Sequence, residues 1–219
     1  MRRRSSVLAI AVVAIVCGVP LAACAQTYSG SLSSASGQID GRQEWIDPGP
    51  TMLSWEVTDM GAFYHYQYTL AVPQNSSEIS HFIIGVSDNF GIGDFWNETG
   101  AFQGTEVGDF DQANGNPSIP GLLHGLKFDD TSGTTLVVDF DSSRVPVWGD
   151  FYAKCGGNPP NEAWNLGFAL PNPTDPPSNG TISNHILVPD TVVPEPSSLL
   201  LCLLALPGAC LLAWRRWRK

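Results

Sequence analysis

"FYHYQYTLAV", residues 63–72, alternates with a period of two. Tyr64, Tyr66, Tyr68 and Leu70 fall on one side, and Phe63, His65, Gln67 and Thr69 on the other. An aromatic-rich alternation of this kind predicts a β-strand with one face buried. Working outward, "TMLSWEV" (51–57) precedes it, and the turn "PQNSSE" leads into "ISHFIIGVS" (79–87). A Gly/Asp/Asn-rich middle follows, then "LLHGLKFDD" (122–130), "TTLVVDFDS" (134–142), "VPVWGDFYAKC" (145–155), "AWNLGFAL" (163–170) and "TISNHILVPD" (181–190). The opening "QTYSGSLSSASGQID" (26–40) reads as a lead-in or a weak edge strand. No amphipathic helix of useful length interrupts these runs, and 22 Gly with 17 Pro punctuate the chain throughout. Seven to nine short strands between turn signals predict an all-β domain, an antiparallel β-sandwich or jelly-roll-like ectodomain over residues 26–189.

The two ends read differently. Residues 1–25 have the form of a signal peptide: Arg2, Arg3 and Arg4, an apolar run from Val7 to Val19, then Pro20 and small residues. Ala23 and Ala25 frame an A-x-A cleavage site. Leu21-Ala22-Ala23-Cys24 also fits a lipobox, with Cys24 as the lipidated residue; ordinary cleavage is the simpler reading. Of 11 basic residues only Arg42, Lys127, Arg144 and Lys154 lie between the ends, against 20 acids, giving that region a net charge of about −16. Such a charge excludes nucleic acid as a partner. Of five cysteines only Cys155 lies in the domain, so no internal disulfide forms there.

Chemistry-bearing patterns are sparse. His65, His81, His124 and His185 stand singly, outside any metal-ligand spacing. "DFDQANGN" (109–116) is oxygen-rich, with Asp109, Asp111 and Asn114 as candidate calcium ligands. It departs from the EF-hand pattern, since the glycine is one position late and Gly121 replaces the closing glutamate. Asp and Asn also favour such loops as turn formers. Asn97-Glu98 resembles the acid/base dipeptide of retaining glycosidases, but that chemistry needs a second carboxylate about 5 Å away. Trp96, Trp148 and Trp164 are candidates for an aromatic platform that binds sugars, or equally for core filling. No cofactor is called for, and an enzyme is not expected.

The tail, residues 190–219, carries the most specific signal. Val193-Pro194-Glu195-Pro196 (193–196) precedes an apolar run, 197–214, read as a single transmembrane helix, and Arg215, Arg216, Arg218 and Lys219 close the chain in a basic cluster (215–219). This order resembles the PEP-CTERM sorting signal of Gram-negative bacteria. The resemblance implies an exosortase-type membrane protease as partner and a membrane-anchored precursor in the inner membrane. Delivery to the cell envelope or an extracellular exopolysaccharide matrix would follow. "ISHFIIGVS", "VPVWGDFYAKCGG", "AWNLGF" and "NHILVPDT" look like segments of uncharacterised ectodomains that carry this tail. The expected function is that of an exported acidic surface or matrix protein with a structural or adhesive role in a biofilm. The alternatives are a carbohydrate- or calcium-binding module and, further off, a glycoside hydrolase.

Overall fold

A computed structural model describes residues 25–190. The signal segment up to Cys24, the Pro194-Glu195-Pro196 motif, the 197–214 run and the basic cluster lie outside the described residues. Thirteen strands are described: β1 (Thr27–Ser33), β2 (Ile39–Arg42), β3 (Met52–Asp59), β4 (Tyr64–Ala71), β5 (Ile79–Gly85), β6 (Phe95–Gly100), β7 (Gly104–Phe110), β8 (Leu123–Asp129), β9 (Thr135–Ser142), β10 (Pro146–Gly149), β11 (Phe151–Cys155), β12 (Glu162–Asn165) and β13 (Ile186–Pro189). A five-stranded sheet has the order β1-β3-β4-β9-β6, a six-stranded sheet the order β2-β12-β11-β5-β8-β7, and β10 pairs with β13 in a short ribbon. All ladder pairings are antiparallel.

The fold class is corrected in its helical part. Among the described residues no helix is long and apolar enough to cross a membrane. Their helical content is confined to 3₁₀ turns of three or four residues, such as Ile92–Asp94 and Gln112–Asn114. Gly and Pro recur too often between strands for an apolar helical stripe to build up. The all-β, antiparallel description is what these residues carry.

The opening alternation of residues 63–72 explains how the sheets meet. Tyr66, Tyr68 and Leu70 are fully buried, as are Val138 and Phe140 on the neighbouring β9. Phe82, Ile84, Leu126 and Phe128 of the second sheet belong to the same core. Across the interface the rings of Tyr68 and Phe82, and of Phe128 and Phe140, lie 6.0 Å apart. Tyr66 stacks on Phe140 at 5.3 Å. Buried tyrosine hydroxyls need partners: Tyr66 donates to the Arg144 carbonyl and Tyr68 to that of Leu187, each at 2.8 Å.

A second, smaller core covers the outer face of the six-stranded sheet. Ile83 and Tyr152 project there and pack with Phe110, Ile119 and Leu123 under the 111–122 loop. Glu162 is buried beside them, its Oε1 accepting from the Tyr152 hydroxyl at 2.5 Å and from the Ser118 amide at 3.0 Å.

Candidate functional site

The outer face of the five-stranded sheet remains uncovered, and the outward half of the 63–72 alternation lies on it. His65, Gln67 and Thr69 of β4 are flanked by Asp139 and Asp141 of β9, at the registers His65↔Asp141 and Gln67↔Asp139. Across β9 comes the irregular β6, where Trp96 pairs with Asp141 and Thr99 with Asp139. Asn97 and Glu98 bulge between those two pairs, and Asn97 adopts φ 57°. That left-handed conformation is one that Asn tolerates better than most residues.

The bulge turns the Asn97 side chain back onto the sheet, so that Nδ2 donates to Asp141 Oδ2 at 2.8 Å. Asp141 Oδ1 lies 2.8 Å from His65 Nδ1, which places the imidazole proton on Nδ1 because an ionised carboxylate only accepts. Asp139 Oδ1 accepts from Gln67 Nε2 at 2.6 Å, and His65 Nε2 stands 3.7 Å from the same oxygen. The row is therefore held in one arrangement before any ligand arrives. Trp96, 36% exposed, rises at its edge with its ring 6.0 Å from that of Phe63 in an edge-to-face contact.

Beyond Gln67 the face continues as a shallow depression of about 420 Å³ lined by Ser29, Ser31, Ser54, Glu56 and Thr69. Beneath it, on the inner side of the sheet, β1 carries Gly30 opposite the buried Trp55. A Cβ on Gly30 would lie 2.3 Å from Trp55 Cζ2, so only glycine fits. The whole face offers hydroxyls, amides, carboxylates and one imidazole beside an exposed indole, with no lysine or arginine among the residues named. It can hydrogen-bond a neutral, hydroxyl-rich ligand and stack one face of a sugar ring on Trp96.

The structure sorts the three tryptophans. Trp148 is fully buried in the main core, and Trp164 stacks on Tyr152 at 6.5 Å on the other sheet. Only Trp96 of the three meets the exposed polar row. Glu98 is exposed in the bulge, while Asp139 and Asp141 on the adjoining strand are engaged by Gln67, His65 and Asn97.

Asp109 at the end of β7 lies beside Asp111 and Asn114, which form a capped turn. Asp111 Oδ1 accepts from the Ala113 and Asn114 amides at 2.8 and 3.0 Å, and Asn114 Oδ1 accepts from the Asp111 amide at 2.8 Å. Asp109 Oδ1 lies 2.7 Å from His124 Nδ1. Among the described residues no group of three or more His, Cys, Asp or Glu could hold a metal ion. His81 is buried near this loop with Nε2 3.0 Å from Asn116 Oδ1, and burial together with Lys127 and Lys154 pushes its pKa down to about 4. Cys155 is buried, and its Sγ accepts from the Asn161 and Gly157 amides at 3.0 and 3.3 Å. Ala25 is exposed at the first described position.

Sequence reasoning singled out Trp96 but not its neighbours Asp139, Asp141, Gln67 and Asn97 as one group. The signal was present in the outward half of two alternating strands, yet their pairing register is needed to place them side by side.

No protein family matches the chain, and no curated protein matches it. Among solved structures it is similar to the KRT10-binding region domain of the pneumococcal serine rich repeat protein PsrP. The identity is 12%, over 68% of this chain and 93% of that one, with a TM-score of 0.22. At that score the likeness carries no argument about fold or role.

Proposed function

We propose that the protein is an exported, acidic β-domain of the cell surface or extracellular matrix that adheres to neutral polysaccharide through the outer face of its five-stranded sheet. The observation that carries this reading is the exposed Trp96 beside a row of Asp141, His65, Asp139 and Gln67 already fixed by mutual hydrogen bonds. Prior ordering lowers the entropy lost on binding. The acids on the face and the net charge of about −16 disfavour anionic chains. The role is binding and not turnover.

The test is co-sedimentation of the purified protein with insoluble neutral polysaccharides, alongside Trp96→Ala. Loss of one stacking contact of about 1–1.5 kcal/mol lowers affinity about five- to tenfold. Equal binding by the variant, or no binding to any neutral polysaccharide, would leave a purely structural role in its place. Release of new reducing ends would instead make the protein a hydrolase.

Export and delivery rest on the Arg2–Arg4 signal segment and on Pro194-Glu195-Pro196 with the closing basic cluster. An exosortase-type protease is the processing partner in this reading. Mass spectrometry of surface material checks it: peptides from residues 199–219 still attached would contradict processing, and an acylated Cys24 would add a lipid anchor.

A further inference from the structure

Strand register sorts the outward side chains of the five-stranded sheet into rows that cross it. One row runs Ser29, Glu56, Gln67, Asp139 and Thr99, each residue the register partner of the next, from β1 to β6. The neighbouring row runs Thr27, Thr58, His65, Asp141 and Trp96 over the same strands. Every member is polar except Trp96, whose indole carries an N–H at its rim. Ser29, Glu56, Gln67, Thr99 and Trp96 are exposed, so the rows are open to a ligand.

Polar character is continuous across the strands and gives out along them. Along β9 the outward positions pass from Asp141 and Asp139 to Val137, which is 39% exposed. Along β3 they pass from Thr58, Glu56 and Ser54 to Met52, which is 47% exposed. A polar chain lying on this face therefore keeps its partners longest when it runs perpendicular to the strands.

The length of the rows sets the length of that chain. Four strand spacings of about 4.8 Å separate β1 from β6, a distance of about 19 Å. A sugar unit of an extended glycan advances about 5 Å, close to one strand spacing. About four units thus reach from Trp96 to Ser29.

Both ends of the path carry a feature that suits a sugar. Trp96 offers a stacking surface at β6, and the depression of about 420 Å³ lined by Ser29, Ser31, Ser54 and Glu56 lies at β1 and β3. Between them the side chains are ordered in advance: Gln67 donates to Asp139 at 2.6 Å, the Thr99 hydroxyl lies 3.4 Å from Asp139 Oδ2, and the Thr27 and Thr58 hydroxyls are 3.0 Å apart. Glu56 has no hydrogen-bond donor among the described residues, which leaves its carboxylate free to accept from ligand hydroxyls.

We infer that the face binds an extended run of about four neutral sugar units laid across the strands, from Trp96 on β6 to Ser29 on β1. The inference rests on the reading of this face as a neutral-polysaccharide site and adds the length and direction of the bound segment.

The test titrates the purified protein with cello-, laminari-, malto- and xylo-oligosaccharides, monosaccharide through hexasaccharide, following the Trp96 indole and Gln67 amide signals by NMR. In at least one series affinity should rise about three- to tenfold per unit from the disaccharide to the tetrasaccharide and then level off. The tetrasaccharide should shift both signals. Glu56→Ala, a change at an exposed position that leaves the core intact, should weaken the tetrasaccharide about tenfold and the disaccharide less. Affinity already level at the disaccharide, affinity still climbing steeply at the hexasaccharide, or an equal Glu56→Ala penalty at both lengths overturns the inference and leaves adhesion through Trp96 standing. Binding of no oligosaccharide by a protein that co-sediments with polysaccharide overturns it as well. Failure to bind either kind of ligand removes the underlying reading, and the inference with it.

Discussion

His81 should make the fold sensitive to mild acid. It lies on β5, is 6% exposed, and is held neutral by burial first and by the nearby Lys127 and Lys154 second, against the opposing hydrogen bond from Asn116 and the charge of Asp129. Its pKa falls from 6.5 to about 4. In the unfolded chain the imidazole takes up a proton below 6.5, while in the folded chain it does so only near 4. The stabilisation is therefore complete above 6.5 and lost as pH falls through that window. One proton of linkage, at about 1.4 kcal/mol per pH unit, accumulates to about 3 kcal/mol. Urea unfolding followed by tryptophan fluorescence at pH 7 and at pH 4 measures this directly. His81→Gln, which does not titrate, should lose about 3 kcal/mol less than the wild type over the same interval. Asp150 acts with the opposite sign, since burial raises its carboxyl pKa, but it is present in both chains and cancels in the comparison. Equal losses in the two proteins, or a His81 ring that titrates near 6.5 by NMR in the folded state, would refute the reasoning.

Phe140→Ala should cost about 3–5 kcal/mol by urea unfolding, because its ring touches those of Tyr66, Tyr68, Phe95 and Phe128 and so joins both sheets. Arg144→Met should cost about 2–3 kcal/mol by removing the guanidinium donor from Asp94, which keeps only the Gly91 amide, and from the Asn89 carbonyl. The hydrogen bond from Arg144 is the main cause holding the Asp94 carboxyl below its ordinary 3.8. That share of the stability is present above 3.8 and fades as pH drops below it in the wild type, and the variant should not show the fading. Cys155 should react with a bulky thiol reagent only through opening of the fold, so its modification rate should rise with urea along the unfolding curve; a fast reaction in native buffer would contradict its burial.

Most of the strands that could be read from sequence share a physical property. β3, β4, β5, β8 and β9 are interior to their sheets, and burial forces the alternation or the unbroken β-branched runs that reveal them. The strands that were hard to read are the sheet margins. β1 and β6 bound the five-stranded sheet, while β2 and β7 bound the six-stranded one. β6, "FWNETG", buries only Phe95, and β7 begins at Gly104 inside the Gly/Asp/Asn-rich middle. An edge strand owes less to the core, so its composition is free to be polar. The candidate site was hidden because most of its members sit on the solvent-facing side of β4, β9 and the edge strand β6, where burial constrains composition less. Burial of individual tryptophans was equally illegible: Trp96 and Trp148 lie in similar short runs, and only the sheet assignments separate them. The oxygen-rich 109–116 segment reads alike as a cation loop or a capped turn, and the use of its oxygens on its own amides emerges only in three dimensions.

The placement of β13 bears on the order in which the chain can assemble. Ile186–Pro189 is buried at every residue, packs against β3 and β5, and supplies the carbonyl that receives the Tyr68 hydroxyl. Near it in sequence, the Asn179 side chain accepts from the Ser29 amide and the Gly180 amide donates to the Ser29 carbonyl. The first described strand is thus tied to the loop that leads into the last described one. β3 and β4 can pair as a local hairpin soon after synthesis, but their aromatic face has no complete cover until residue 189 has arrived. Such distant closures make folding slow and leave a sticky intermediate on the way. A chain that stops before Ile186 would be trapped with that face open, so any handling of the nascent protein must keep it shielded until Ile186–Pro189 is in place.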